Sequence, residues 1–498
     1  MTGDEPKTPR IAVLALGRST FDVDLARDTL DQALALLSEL ADIIGSRELL
    51  MDGEALGKAL DDLSALDEDA IDIVLVLQVT FTDAEGIVRI SERFGDRPLA
   101  IWSFPEPRRG GRLRLNSFCG LNLAAHALGR IDRKAGMLYT APTSEARDAV
   151  RDLLRGGRVP SPPELGPAEV DTVASPAAAR AIARLQGARI ARLGEHPPGF
   201  DTCDYDERRL DALAGVVVEP IELEDVFAIA RNVSSSALAR SRAVAERDCG
   251  DLSGVSEDEL DKSLRLEGAL QDIREAGRYD GFAVRCWPEC FTEYGGAMCA
   301  PVAMMGERHV PCACEADVYG ALSSLMLQAV AEAPVFMVDL VDLDPGDETG
   351  VVWHCGQAPI SMSAGHAHAT KGGTGEGMRG GGDNDTPLAR SSARATVHTN
   401  RRMALLYEFA LRPGRVTLAR LSQARGTHSL VLIGAEAIER PAPFTGTCGT
   451  LRFDRSVSEL TNAILGAGLE HHTSLVYGDH RMALRQVAAE LGLPVLSL

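Results

Sequence analysis

The sequence predicts an α/β protein: two doubly wound parallel-sheet domains followed by a β-rich, barrel-like C-terminal domain. Three observations carry this. Short apolar runs alternate with helix-period segments through residues 10–160, and again through residues 188–340, as in parallel sheets with helices on both faces. Residues 158–176 (VPSPPELGPAEVDTVASPA) are rich in proline and small residues and read as a linker. From Met403 onward the apolar period shifts toward two. At 498 residues the chain is too long for one core. The expected domains are 1–160, 161–345 and 346–498, the second carrying the acid/base carboxylates argued below.

In the first domain, residues 10–16, 71–77, 99–104 and 137–140 read as strands. A helix is expected over 25–44, with apolar residues at 25, 30, 34, 36, 37, 40, 43 and 44, and another over 144–154. Ligands gather at the carboxyl ends of parallel strands, which singles out residues 78–83, 103–106 and 116–120; Asn116 is a candidate substrate contact. No GxGxxG follows the first strand, so no dinucleotide site is expected. In the second domain, strands are expected at 188–193, 215–219, 282–286, 310–314 and 335–340. Helices are expected at 222–231, 256–277 and 316–331. Residues 363–390 are glycine-rich and lack a phosphate-loop pattern; His366 and His368 fall there. MALLYEF, RVTLARL and SLVLIGA then read as antiparallel strands. The end of the chain reads as a helix over 456–465, a strand over 474–477 and a helix over 480–491.

Composition narrows the function. A formal charge of −21 argues against nucleic-acid and anionic-membrane partners, which need a basic face. No run of about 20 apolar residues is present, and the N-terminus turns apolar only at Ile11, so a cytoplasmic protein is expected. Six of the ten cysteines fall between Cys286 and Cys355. Neither Cys286-x3-Cys290 nor Cys312-x-Cys314 is a zinc knuckle, and buried thiols are the plainer reading.

The stretch Ala283 to Gly356 organises the chain. Glu315, Asp339 and His354 each stand at the edge of an apolar run, and His471-His472 follows far downstream. Glu315 would precede its helix directly, where the dipole favours a carboxylate. Glu315 and Asp339 are separated by one helix and one strand, a single crossover that would set them side by side on one parallel sheet. Two such carboxylates repel unless a cation neutralises them. A divalent metal completed by His354 or His472 would do so, polarise a sugar carbonyl and leave one carboxylate to shuttle a proton between adjacent carbons. Read singly, each residue has a blander role: an acid at a helix start is usually a cap, and histidines are often buried and hydrogen-bonded.

The joint pattern is more specific. Cys286-Trp287, Cys314-Glu315-Ala316-Asp317-Val318 with Gly320-Ala321, Asp339 in FMVDL, His354-Cys355-Gly356, and Gly468-Leu469-Glu470-His471-His472 before Tyr477-Gly478-Asp479 resemble the L-fucose isomerase / L-arabinose isomerase superfamily. The fucose-isomerase-like branch is the nearer. The resemblance implies a three-domain subunit and aldose–ketose isomerisation of a free sugar through an enediol. It implies a Mn²⁺-type ion and a homo-oligomer, trimer or hexamer, with sites near subunit contacts. Glu315 and Asp339 would be acid/base pair and metal ligands, and His472 the third ligand. His354 would be a ligand or a substrate contact. His471 would replace His472 if the alignment shifts by one. Trp287 joins Asn116 as a candidate substrate contact. The sugar stays open: fucose, arabinose, another aldose, or a modified one such as a sulfonated hexose. An anionic group would want arginine; Arg108, Arg109, Arg112 and Arg114 follow a strand end, although a solvated loop is the plainer reading. Two other function classes compete: a non-catalytic sugar-binding or regulatory protein, and a metal-dependent hydrolase or lyase on a sugar derivative.

Overall fold

The computed structural model describes residues 8–498 except 67–69, 96, 169–174, 251, 254, 365–391 and 394–404. Most of the glycine-rich 363–390 segment, with His366 and His368, lies outside the described residues.

Three sheets account for the described strands. The first contains β1 (Arg10–Leu16), β2 (Asp42–Ile44), β3 (Leu49–Leu50), β4 (Ile73–Gln78), β5 (Leu99–Ser103) and β6 (Gly136–Tyr139). Its order is β2-β1-β4-β5-β6, with β3 also on β1, and every pairing is parallel. Alternate residues of β1 serve opposite cores. Ile11, Val13 and Ala15 pack with Leu30, Leu37, Val150 and Leu153 on one face. Ala12, Leu14 and Leu16 pack with Leu60, Ile87, Ile90 and Phe118 on the other. Both faces are covered, which is why β4 is buried throughout. The helix expected over 25–44 is shorter. It spans Val23–Ser38, started by Asp22, whose side chain accepts the Leu25 N–H. β-Branched Ile43 and Ile44 then join β1 opposite Ile11 and Ala12, where the ladder suits them better than a helix.

The second sheet, β7 (Arg189–Leu193), β8 (Val217–Ile221), β9 (Gly281–Val284) and β10 (Cys312–Cys314), is parallel in the order β10-β9-β7-β8. The expected linker is partly structured: Gly166 exchanges backbone hydrogen bonds with Val495, and Pro176 opens the helix Pro176–Leu185 behind its Ser175 cap.

The third sheet is the β-rich unit. It contains β11 (Phe336–Asp344), β12 (Thr349–His354), β13 (Ser392–Ala393), β14 (Tyr407–Ala410), β15 (Gly414–Ser422), β16 (Ser429–Ile438), β17 (Thr447–Phe453), β18 (His472–Tyr477) and β19 (Val495–Ser497). The strands β17-β12-β11-β18-β15-β16 run antiparallel, and a β16–β17 pairing closes the ring into a barrel.

This corrects one expectation. Asp339 does not share a parallel sheet with Glu315. Its strand β11 sits in the barrel between β12 and β18. The cause is the turn after β11, where Asp344 Oδ1 accepts the Gly346 N–H at 2.9 Å. A connection this tight can only return the chain antiparallel.

The helix Val457–Ala467 is seated against the linker, because a Cβ on Gly466 would lie 2.1 Å from the Ser161 carbonyl oxygen. Gly466→Ala is therefore expected to destabilise the protein by about 1–3 kcal/mol. Urea unfolding would read this as a lower midpoint at unchanged slope.

Candidate active site

Where β10 ends, the backbone turns through two consecutive left-handed residues, Glu315 (φ 58°) and Ala316 (φ 57°). Non-glycine residues rarely adopt this conformation, and here it turns Glu315 out of the strand direction. The following helix, Val318–Ala331, is capped by Asp317, whose Oδ1 accepts the Gly320 N–H at 2.8 Å. The helix expected to begin at 316 thus starts two residues later, and its cap is Asp317 rather than Glu315.

Asp339 reaches the same place from the barrel. Its cross-strand neighbours are Trp353 on β12 and His472 on β18. His472 Nε2 lies 3.6 Å from Glu315 Oε2 and 3.6 Å from Asp339 Oδ1, so the imidazole faces carboxylates from two different sheets. Neither His472 Nε2 nor Asp339 Oδ1 has a hydrogen-bond partner among the described residues, and both are buried. On the other side of the ring, Nδ1 lies 2.9 Å from Asp317 Oδ2. Asp317 is itself paired with Arg420 through Nη1–Oδ2 at 2.7 Å and Nη2–Oδ1 at 3.2 Å.

This arrangement sets the tautomer. Burial works to raise the Asp317 pKa, but the Arg420 charge and the His472 contact outweigh it and hold the carboxyl well below the usual range. An ionised Asp317 takes the Nδ1–H, which turns the Nε2 lone pair toward Glu315 and Asp339. A lone pair facing two carboxylates is unfavourable unless a cation stands among them.

The spacing also fits an ion. Donors about 2.1 Å from a common metal and about 90–120° apart stand roughly 3.0–3.6 Å from one another. Two groups of donors lie within 4.8 Å of one another and share His472: Glu315, His471 and His472, and Asp339, His354 and His472. Two carboxylates with one imidazole suit a hard or borderline divalent ion. Cys203, Asp317 and His472 form a third group, but Asp317 is already committed to Arg420 and burial pushes the Cys203 thiol well up.

The other candidates surround this centre. His471 bridges Thr202 Oγ1 at 2.9 Å and Glu315 Oε2 at 3.0 Å, supporting Glu315 from its far side. Trp287 donates Nε1–H to Glu315 Oε1 at 3.3 Å. His354 accepts the Cys355 N–H on Nδ1 at 2.9 Å, which in the neutral ring leaves the proton on Nε2. Asn116, left-handed at φ 49°, donates its backbone N–H to Glu106 Oε2 and keeps a buried Oδ1 without a partner. It opens the helix Ser117–Arg130, which reaches β11 where Cys119 Sγ donates to the Leu340 carbonyl. Burial works to raise the Glu315 pKa, but the His471 hydrogen bond and the neighbouring His471, His472 and His354 rings outweigh it, holding the carboxyl at about 2. Asp339 is pushed up to about 7 by burial and the Glu315 charge, against the pull of His472.

Similarity to known proteins bears on the family. Residues 12–159 match the family model described as the fucose/sulfoquinovose isomerase N-terminal domain. The chain is 27% identical to a sulfoquinovose isomerase of Alkalicoccus urumqiensis, over 98% of this chain and 99% of the relative. It is 26% identical to one of Priestia aryabhattai over 94% of each chain. It is 27% identical to one of Clostridium sp. (strain MSTE9) over 97% of this chain and 98% of the relative. The chain is thus similar to the fucose/sulfoquinovose isomerase family through residues 12–159 and to sulfoquinovose isomerases along nearly its whole length. In this fold the site is completed only where the second sheet meets the barrel.

In the sequence Asp317 stands only as part of a motif, and Thr202 carries no local signal of its role. Arg420 did leave a signal: it is a charge inside the apolar run RVTLARL, and it is 2% exposed in the structure. Of the arginines considered for an anionic group, Arg108 is tied to Asp342 and Thr349, Arg114 to Asp22, and Arg109 and Arg112 are exposed.

Two outcomes follow from this geometry. Arg420→Met strands Asp317 and Glu470 and is expected to cost about 3–5 kcal/mol in urea unfolding. A divalent metal must displace the proton that Asp339 holds below pH about 7, so calorimetric titration with Mn²⁺ should show affinity rising with pH between about 6 and 8.

Proposed function

We propose that this protein, an aldose–ketose isomerase, acts on sulfoquinovose or a closely related sulfonated hexose, with a divalent metal, Mn²⁺ by preference, at Glu315, Asp339 and His472. One observation carries the site: a single buried imidazole nitrogen stands 3.6 Å from carboxylates of two different sheets. The substrate class rests on the relatives, which are named sulfoquinovose isomerases and align along nearly their whole length.

When bound, the ion would neutralise the facing carboxylates and polarise the sugar oxygens at the first two carbons. The protein's own residues do the rest. Asp339, buried and facing the same centre from the barrel, takes the proton from the carbon next to the carbonyl. It returns that proton to the former carbonyl carbon, so aldose becomes ketose with no net gain or loss of atoms. Glu315, held between Trp287 and His471, accepts the hydroxyl proton from the oxygen at the second carbon and passes it to the oxygen at the first. His354, with its proton on Nε2, is a hydrogen-bond donor to a substrate oxygen rather than a ligand. Asn116 Oδ1 and Trp287 complete the sugar pocket. Burial of the centre excludes bulk water from the enediol.

The working unit is taken to be a homo-oligomer, trimer or hexamer, with sites near subunit contacts, in the cytoplasm. No described helix is long and apolar enough to cross a membrane.

The test uses EDTA-stripped protein, a panel of sulfoquinovose, L-fucose and D-arabinose, and added Mn²⁺. Ketose should form from sulfoquinovose only with metal. Glu315→Gln and Asp339→Asn should each lower kcat by on the order of 10³-fold or more. Undiminished turnover in stripped protein, or in both variants, would sink the proposal. Under the same reading, His354→Gln should lower kcat/KM and leave metal stoichiometry at one, whereas His472→Ala should abolish metal binding.

A further inference from the structure

We infer that Arg18 recognises the sulfonate of the substrate; the inference rests on the sulfonated-sugar reading above. Arg18 follows β1, at the carboxyl end of a parallel strand, where ligand-binding loops collect. Its position is fixed by its own backbone, whose N–H donates to Thr80 Oγ1 at 2.8 Å. The guanidinium carbon lies 5.7 Å from the Phe81 ring centroid and 5.6 Å from that of Trp287. Trp287 in turn donates to Glu315. One indole ring therefore separates this cation from the reacting carboxylate. A hexose held with its first two carbons at Glu315 and Asp339 extends past that indole and brings its sixth carbon toward Arg18.

The side chain also has capacity left. Arg18 makes one side-chain hydrogen bond, Nη2 to Asp83 Oδ2 at 2.9 Å, and has no other hydrogen-bond acceptor among the described residues. Asp83 is held in turn by the Glu85 N–H, so it fixes one corner of the guanidinium while the rest of the planar fork stays available. Other arginines beside the pocket lack this freedom. Arg285 is spent on Glu289 and on the Glu195 and His196 carbonyls, and Arg420 is buried against Asp317 and Glu470. Stacking on aromatic rings removes water from the guanidinium faces and leaves its in-plane N–H groups exposed. A sulfonate suits that edge, because it keeps its charge at any working pH and offers three acceptor oxygens to a rigid fork.

The test compares sulfoquinovose with 6-deoxyglucose, the same sugar without the sulfonate, on metal-loaded wild type, Arg18→Gln and Arg18→Lys. Arg18→Gln should lower kcat/KM for sulfoquinovose on the order of 100-fold, mostly through KM. The loss for 6-deoxyglucose should stay under about threefold, and Arg18→Lys should fall between. Calorimetric titration of both sugars gives the same comparison if turnover of the neutral sugar is too slow to follow. Metal stoichiometry and Tm should match wild type. Equal losses for both sugars would overturn the role of Arg18 while leaving the substrate standing. A wild type that neither binds nor converts sulfoquinovose would instead overturn the substrate reading, and Arg18 with it.

Discussion

The lone pair of His472 Nε2 faces two carboxylates inside the protein, and the architecture around it is arranged to keep that unfavourable contact in place. The ring's orientation is fixed because Asp317 holds the opposite nitrogen at 2.9 Å, and Asp317 is in turn anchored to Arg420. Arg420 also donates to the carbonyls of His472 and Thr202 and lies 3.4 Å from Glu470. A single buried guanidinium thus ties the barrel strand β15 to the helix cap behind Glu315 and to the segment just before β18. Removing any one member would leave a buried charge without its counterpart, which is why such a cluster acts as a unit.

The site owes its shape to two sheets that do different work. The second sheet ends in a short edge strand, β10, so Glu315 is delivered by a strained turn and not by the ladder. The barrel supplies Asp339 and His472 as cross-strand neighbours on β11 and β18, where the closed hydrogen-bond network resists displacement. The first sheet adds the wall. Phe81, at the end of β4, touches Phe200 at a 5.7 Å ring separation, and Phe200 meets both Trp287 and His471 edge-on. Aromatic contacts of this kind exclude water while leaving the polar edge of Trp287 free to reach Glu315.

Much of this was legible in the chain. Apolar runs such as 71–77 and 99–104 announced parallel strands, the shift to period two announced the barrel, and Glu315, Asp339, His354 and the His471-His472 pair stood out as residues that could converge. What stayed hidden was long-range. The spacing of Glu315 and Asp339 suits one crossover equally well, and only the Asp344–Gly346 turn sends β11 into the barrel. The Asp317–Arg420 pair spans 103 residues and has no local signature beyond a charge in an apolar run. The left-handed turn at Glu315 and Ala316 carries no glycine to mark it. Arg18 has no local signature, because the rings that flank it come from Phe81 and from Trp287, beyond β9.

The most direct test of the account is pulsed electron paramagnetic resonance on Mn²⁺-loaded protein, which detects nitrogen bonded to the ion. The account predicts one coordinated imidazole nitrogen in wild type and in His471→Gln, and none in His472→Gln. A nitrogen coupling that survives in His472→Gln and disappears in His471→Gln would contradict it, since the ion would then sit on the other side of Glu315.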